Sequence, residues 1–101
     1  MVLEYLKFLV DPELREKFIQ KDAEIWTPAI ASYPGFLGKE VWISPKVPEE
    51  VIIVIRWETR QLWKAVPLDI LDATEQKFAV AVGENKYELI ESKEYQLRKF
   101  P

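Results

Sequence analysis

The chain has 101 residues, 49% of them hydrophobic, and a formal net charge of −3, which suits a single domain over residues 1–101. It contains no cysteine and no histidine, which excludes disulfides, thiolate nucleophiles, zinc knuckles and imidazole bases or metal ligands. Its lysines and arginines are scattered, with no basic run among the aromatics, so no nucleic acid partner is expected.

The opening MVLEYLKFLV is apolar but too short to span a bilayer, carries Glu4 and Lys7, and has no basic leader. No membrane partner and a cytoplasmic location are the expectation. Val2 to Val10 mixes β-branched, aromatic and alternating polar residues, as a first strand does. Asp11 offers a helix N-cap, and Pro12 suits the first helical position, where its missing N–H is harmless. Leu14, Phe18, Ile25 and Ala29 recur at helical spacing, widened by Ile19, Trp26 and Ile30, and predict a helix from Pro12 to about Ser32. Pro28 lies inside it and should kink it near Glu24, whose carbonyl the ring displaces.

The YPG at Tyr33–Gly35 ends the helix. Phe36 to Ser44 predicts a second strand and Val51 to Trp57 a third, joined by the two-proline loop PKVPEE. Thr59 caps a short helix, Arg60 to Val66, which Pro67 interrupts. Asp69 restarts it, and Leu71, Thr74, Phe78 and Val82 carry an apolar stripe to Gly83. GENK then turns the chain into a last strand, Tyr87 to about Phe100.

The order β-α-β-β-α-β predicts an α+β, ferredoxin-like domain: a four-stranded antiparallel sheet with its helices on one face. VIIVIRW is apolar on both sides and asks for both faces to be buried. The last strand would run about 14 residues, roughly 45 Å of extended chain. Both features predict a homodimer in which two open sheet faces pack and the final strand reaches across.

The helix followed by YPGF, and the strand ending in RWETRQLWKA, resemble the dimeric α+β barrel superfamily of antibiotic-biosynthesis monooxygenases. The match falls on Pro34, Gly35, Phe36, Trp57, Thr59 and Trp63. KFIQKDAEIWTPAIASYPGFLGKEVWI looks more closely like a small, largely cyanobacterial family that brings no activity with it. The superfamily resemblance implies a dimeric α+β barrel with a pocket between sheet and helices in each protomer. It also implies either cofactor-free oxygenation of polycyclic or quinol-like aromatics, or haem degradation. The haem-degrading branch uses an Asn on the first strand, a Trp and an axial His. This chain has no His, and its only Asn is Asn85, in the GENKY turn. No cofactor and no metal are therefore expected.

Five residues are candidates for contact with a ligand. Trp26, Trp42 and Trp63 could frame a flat aromatic cleft, or simply fill the core. Arg56 follows a run of β-branched residues and could orient a carboxylate or enolate, or pair with Glu40 or Glu4 at a dimer interface. Tyr5 could donate a hydrogen bond into the pocket or close off the core edge. Asp69, Asp72 and Glu75 share a helix face and complement its dipole more simply than they would bind a metal. Two functions remain: a cofactor-independent oxygenase acting on a hydrophobic aromatic small molecule, and a non-catalytic dimeric module for small-ligand binding or interaction.

Overall fold

In the computed structural model, which describes residues 1–100, four strands form: β1 (Val2–Val10), β2 (Phe36–Ile43), β3 (Glu50–Trp57) and β4 (Tyr87–Gln96). They pair antiparallel in the order β2-β3-β1-β4. The helices cover one face, which gives the ferredoxin-like arrangement that the element order predicts. No helix among the described residues is long and apolar enough to cross a membrane.

The predicted first helix exists but is not uniform. Asp11 accepts from the Glu13 backbone N–H at 3.1 Å, and Pro12 opens a 3-10 turn, Pro12–Leu14, ahead of α1 (Arg15–Lys21). Asp22–Trp26 winds as a π-helical turn, and α2 (Thr27–Ala31) follows. The reason is Pro28. In an α-helical register its ring meets the carbonyl of Glu24. The chain admits one extra residue there instead, and the Thr27 N–H donates to Asp22 O. The Thr27 hydroxyl donates to the same carbonyl at 3.3 Å. The kink expected near Glu24 is thus a π turn, and it rotates Asp22 and Trp26 together toward the sheet.

Gly35 closes the turn into β2 at φ +92°. A Cβ on it would lie 2.6 Å from Leu62 Cβ and 2.7 Å from Leu62 Cδ1. Gly35→Ala combines left-handed strain with overpacking and should lower stability by about 2 kcal/mol or more, read by chemical denaturation. One residue later the ladder slips: Phe36 pairs with Trp57 and Gly38 with Arg56, leaving Leu37 as a bulge.

After β3, Thr59 accepts from the Leu62 N–H at 3.1 Å and caps α3 (Arg60–Lys64). Next comes α4 (Leu68–Val82), which buries Thr74, Phe78 and Val82 before Gly83 ends it at φ +119°. The core cluster joins Val51, Ile53, Ile55 and Trp57 of β3 to Phe18, Ile30, Phe78 and Val82 of the helices. β4 stops at Gln96, short of the predicted Phe100. The Leu97 N–H donates to Met1 O at 3.1 Å just beyond the last ladder pair, Val2 with Gln96.

Candidate functional site

Between the helix-facing side of the sheet and the helices lies a cavity of about 530 Å³. Its floor is alternate residues of the two central strands: Leu6 and Phe8 of β1, and Ile53, Ile55 and Trp57 of β3. Phe18, Trp26 and Ile30 roof it from the first helical run, and Trp63, Val66 and Phe78 close the side under α3 and α4. Exposed Asp72, Glu75, Leu89 and Ser92 also line it, which puts its mouth between α4 and β4. Tyr87 donates its hydroxyl to Glu75 at 2.6 Å, and burial together with that carboxylate raises its pKa.

Inside the mouth, three further ionisable groups, Glu4, Asp22 and Lys39, interrupt the apolar lining. Glu4 and Lys39 are both paired with Ile55, one from each neighbouring strand, so they flank it on the helix-facing side. Glu4 Oε1 accepts from Trp57 Nε1 at 3.1 Å. No described residue donates to Oε2, and Arg15 Nε is the one sealed, unpartnered side-chain polar atom among the described residues, so Oε2 opens to the cavity. Burial raises the Glu4 pKa, and the Trp57 hydrogen bond only partly offsets this. Lys39 turns up to the π turn, where Nζ donates to Asp22 Oδ1 at 2.7 Å and to Thr27 Oγ1 at 3.2 Å. The side chains of Lys39 and Asp22 are 7% and 4% exposed. Burial lowers the Lys39 pKa and raises that of Asp22, each against the attraction of the other.

The five residues singled out from sequence therefore divide. Trp26 and Trp63 line the cavity. Tyr5, Trp42 and Arg56 do not; they lie on the opposite, helix-free face of the sheet. Counting in twos from Phe36 puts Trp42 on the same face, but the bulge at Leu37 reverses the parity, and Trp42 sits opposite Ile52, 46% exposed. Tyr5 follows the same alternation: its neighbour Glu4 points into the cavity, so Tyr5 points away and meets Tyr95 edge-on at 6.1 Å. Arg56 pairs with both carboxylate oxygens of Glu40 at 3.3 Å, one of the two partners expected for it. Trp57, one of the residues that carry the family resemblance, is 1% exposed and donates the hydrogen bond that fixes Glu4.

The sequence reading missed Glu4, Asp22 and Lys39 as a set. Two of the signals were present. Glu4 shares the parity of Leu6, Phe8 and Val10, and Asp22 falls four residues after Phe18, inside the apolar stripe. A carboxylate at a position that should be apolar was the pointer.

The family model for antibiotic biosynthesis monooxygenases matches residues 1–66, which run from β1 to just past α3 and include the cavity residues from Glu4 to Val66. The chain belongs to the antibiotic biosynthesis monooxygenase family. Solved structures of the same fold include a provisionally assigned antibiotic biosynthesis monooxygenase from Bordetella bronchiseptica, at TM-score 0.74 and 22% identity over 95% of each chain. SnoaB, a cofactor-independent oxygenase from Streptomyces nogalater, matches at TM-score 0.69 and 14% identity, over 98% of this chain and 94% of that one. The heme-degrader MhuD from Mycobacterium tuberculosis, which holds two hemes in its active site, matches at 0.70 and 18% identity, over 100% and 99%. Among curated proteins none matches by sequence.

The cavity of this family member is a poor receptacle for haem. Its lining offers iron no imidazole, thiolate or thioether, and its one phenol is committed to Glu75. Asp72 and Glu75 at the mouth, with Glu4 and Asp22 behind them, would face the two propionates with like charge.

Proposed function

We propose that the chain binds a planar, hydrophobic aromatic molecule in this cavity and oxygenates it with molecular oxygen and no cofactor, Glu4 taking the proton that starts the reaction. The observation that carries this reading is a carboxylate with one free oxygen and raised basicity, set in a largely apolar, aromatic-lined chamber. Removing a proton from an activated ring CH₂ leaves a carbanion that passes electrons to oxygen. The balance is CH₂ plus O₂ giving C=O plus water, a four-electron oxidation that needs no other reductant. Apolar walls keep bulk water from reprotonating the carbanion. Trp26 and Trp63 serve as faces for the ring system.

Oxygen consumption with a panel of anthrones, which carry the activated ring CH₂, tests it. Uptake should be measurable for the wild type and fall about 10²–10⁴-fold in Glu4→Gln, with aromatic binding retained. Tight binding with no uptake for any compound overturns the catalytic reading and leaves a non-catalytic binding module, which the lack of any histidine already favours over an imidazole-based mechanism.

We infer further that two copies pair through the helix-free sheet face, in the manner of a dimeric α+β barrel. Trp42 and Tyr95 are 46% and 48% exposed there beside half-buried Tyr5 and Ile52, and the Arg56–Glu40 and Lys7–Glu91 pairs stand among them. The expected mass by light scattering at micromolar concentration is that of a dimer, and Trp42→Glu should give a monomer. A wild-type monomer contradicts the inference.

A further inference from the structure

Lys39 is the only cationic side chain among the described residues that line the cavity. An ammonium group has three protons to donate. Two are spent on Asp22 Oδ1 at 2.7 Å and Thr27 Oγ1 at 3.2 Å, both on the helical side of the chamber. The third is unspent. The acceptors behind Nζ fix it as the positive end of a rigid dipole whose negative end, Asp22, sits in the π turn. Across Ile55 stands Glu4, on the far neighbouring strand. Two strand spacings separate the backbones of Glu4 and Lys39, roughly 10 Å, about the width of a fused-ring aromatic. The other charged groups near this axis are Lys64, close to Glu4, and Asp72 and Glu75 at the mouth.

We propose that Lys39, braced by Asp22 and Thr27, holds the oxyanion of the bound aromatic, so that the cavity selects ligands bearing an ionisable hydroxyl or enolisable carbonyl on the edge opposite Glu4. This rests on the reading of the cavity as an aromatic site and adds the polarity of what it takes. The proton leaves the ligand for Glu4 Oε2, and the electron pair stays on the ligand oxygen. No charge is created in the apolar chamber by this transfer; it moves from beside Glu4 to beside the unspent Lys39 proton. The π turn is the device that makes this possible, because it brings Asp22 Oδ1 and Thr27 Oγ1 to one ammonium. Lys39 would touch the ligand, and Asp22 and Thr27 act through it as positioning residues.

Alizarin, a planar dihydroxyanthraquinone whose colour reports ionisation, is the probe. It is already oxidised at the ring carbonyls, so its titration is independent of turnover. Bound to the wild type, its first ionisation midpoint should fall by about one pH unit, a tenfold shift toward the anion worth ~1.4 kcal/mol. Lys39→Met should abolish or reverse that shift. Because Lys39→Met leaves Asp22 buried without its partner, the pair replacement Asp22→Leu with Lys39→Met is titrated beside it, and should lose the shift in a stably folded protein. Glu4→Gln should keep the lowered midpoint while losing oxygen uptake. A midpoint unchanged by binding, or equally lowered in the pair replacement, overturns the assignment of Lys39 and leaves the aromatic site standing. A lowered midpoint in a protein that consumes no oxygen overturns catalysis and upholds Lys39. Failure of alizarin to bind the wild type overturns both.

Discussion

Replacing Trp57 with alanine should lower stability by about 3–5 kcal/mol, among the largest effects of any single change in this chain. Trp57 ends β3 with 1% of its surface exposed, and its ring meets Phe36 nearly perpendicular at 5.7 Å. Truncation removes that packing and opens a void against the existing cavity, where few atoms can move in to refill it. It also removes the donor to Glu4 Oε1. Domains of this size have about 5–15 kcal/mol in all, so Trp57→Ala should melt at least about 15 °C lower than the wild type, or fail to fold. Trp57→Phe separates the two roles. It keeps most of the ring and should cost only about 1–2 kcal/mol, but it leaves the buried Glu4 carboxylate with one hydrogen bond fewer. The Glu4 pKa then rises further, and the acid limb of any oxygen-uptake profile moves to higher pH. A Trp57→Ala protein melting within a few degrees of wild type would show that the strand-end tryptophan does not hold the core.

Trp57 was legible in the sequence because its place depends on short-range signals: a β-branched run, a strand end, and a capping threonine two residues on. The same holds for Asp11–Pro12, for Gly83 and for the stripe Thr74, Phe78, Val82, each set by local backbone chemistry or by a single period. The site was less legible, for two physical reasons. Counting by twos fails wherever a bulge intervenes, and Leu37 moved Trp42 to the wrong face. Counting by 3.6 places Asp22 and Trp26 with Phe18 but not Thr27, which meets Asp22 at one ammonium across the π turn Asp22–Trp26. The length of β4 was misjudged for a third reason. Composition does not mark where pairing ends: Gln96, opposite Val2, is the last residue of β4 in the ladder. Arg56 is a charge on an apolar strand, yet the residue before it is the informative position: Ile55, flanked across the sheet by Glu4 and Lys39.

The Asp22–Lys39 pair should behave in opposite ways when broken and when replaced. Removing one partner, as in Asp22→Ala or Lys39→Met, strands a charge in the interior and should lower stability by about 3–5 kcal/mol. Replacing both, as in Asp22→Leu with Lys39→Met, should be neutral or raise stability by about 1–4 kcal/mol. The direction follows from the pKa shifts. Asp22 is raised, so the folded state binds its proton more tightly than the unfolded chain, and stability falls as pH climbs through its folded pKa. Lys39 is lowered, so the folded state releases its proton more readily, and stability rises with pH between its folded pKa and the usual lysine range. Each shift disfavours the charged form of its group, so each counts against folding wherever that group is charged. Desolvation exceeds attraction for both, even with the 2.7 Å contact between them. A denaturation cycle over the four proteins measures this, and a double replacement less stable than wild type by more than about 1 kcal/mol would contradict it. If the pair opposes folding, its presence calls for another account, and holding an oxyanion opposite Glu4 provides one: the double replacement should gain stability and lose the alizarin shift in the same protein.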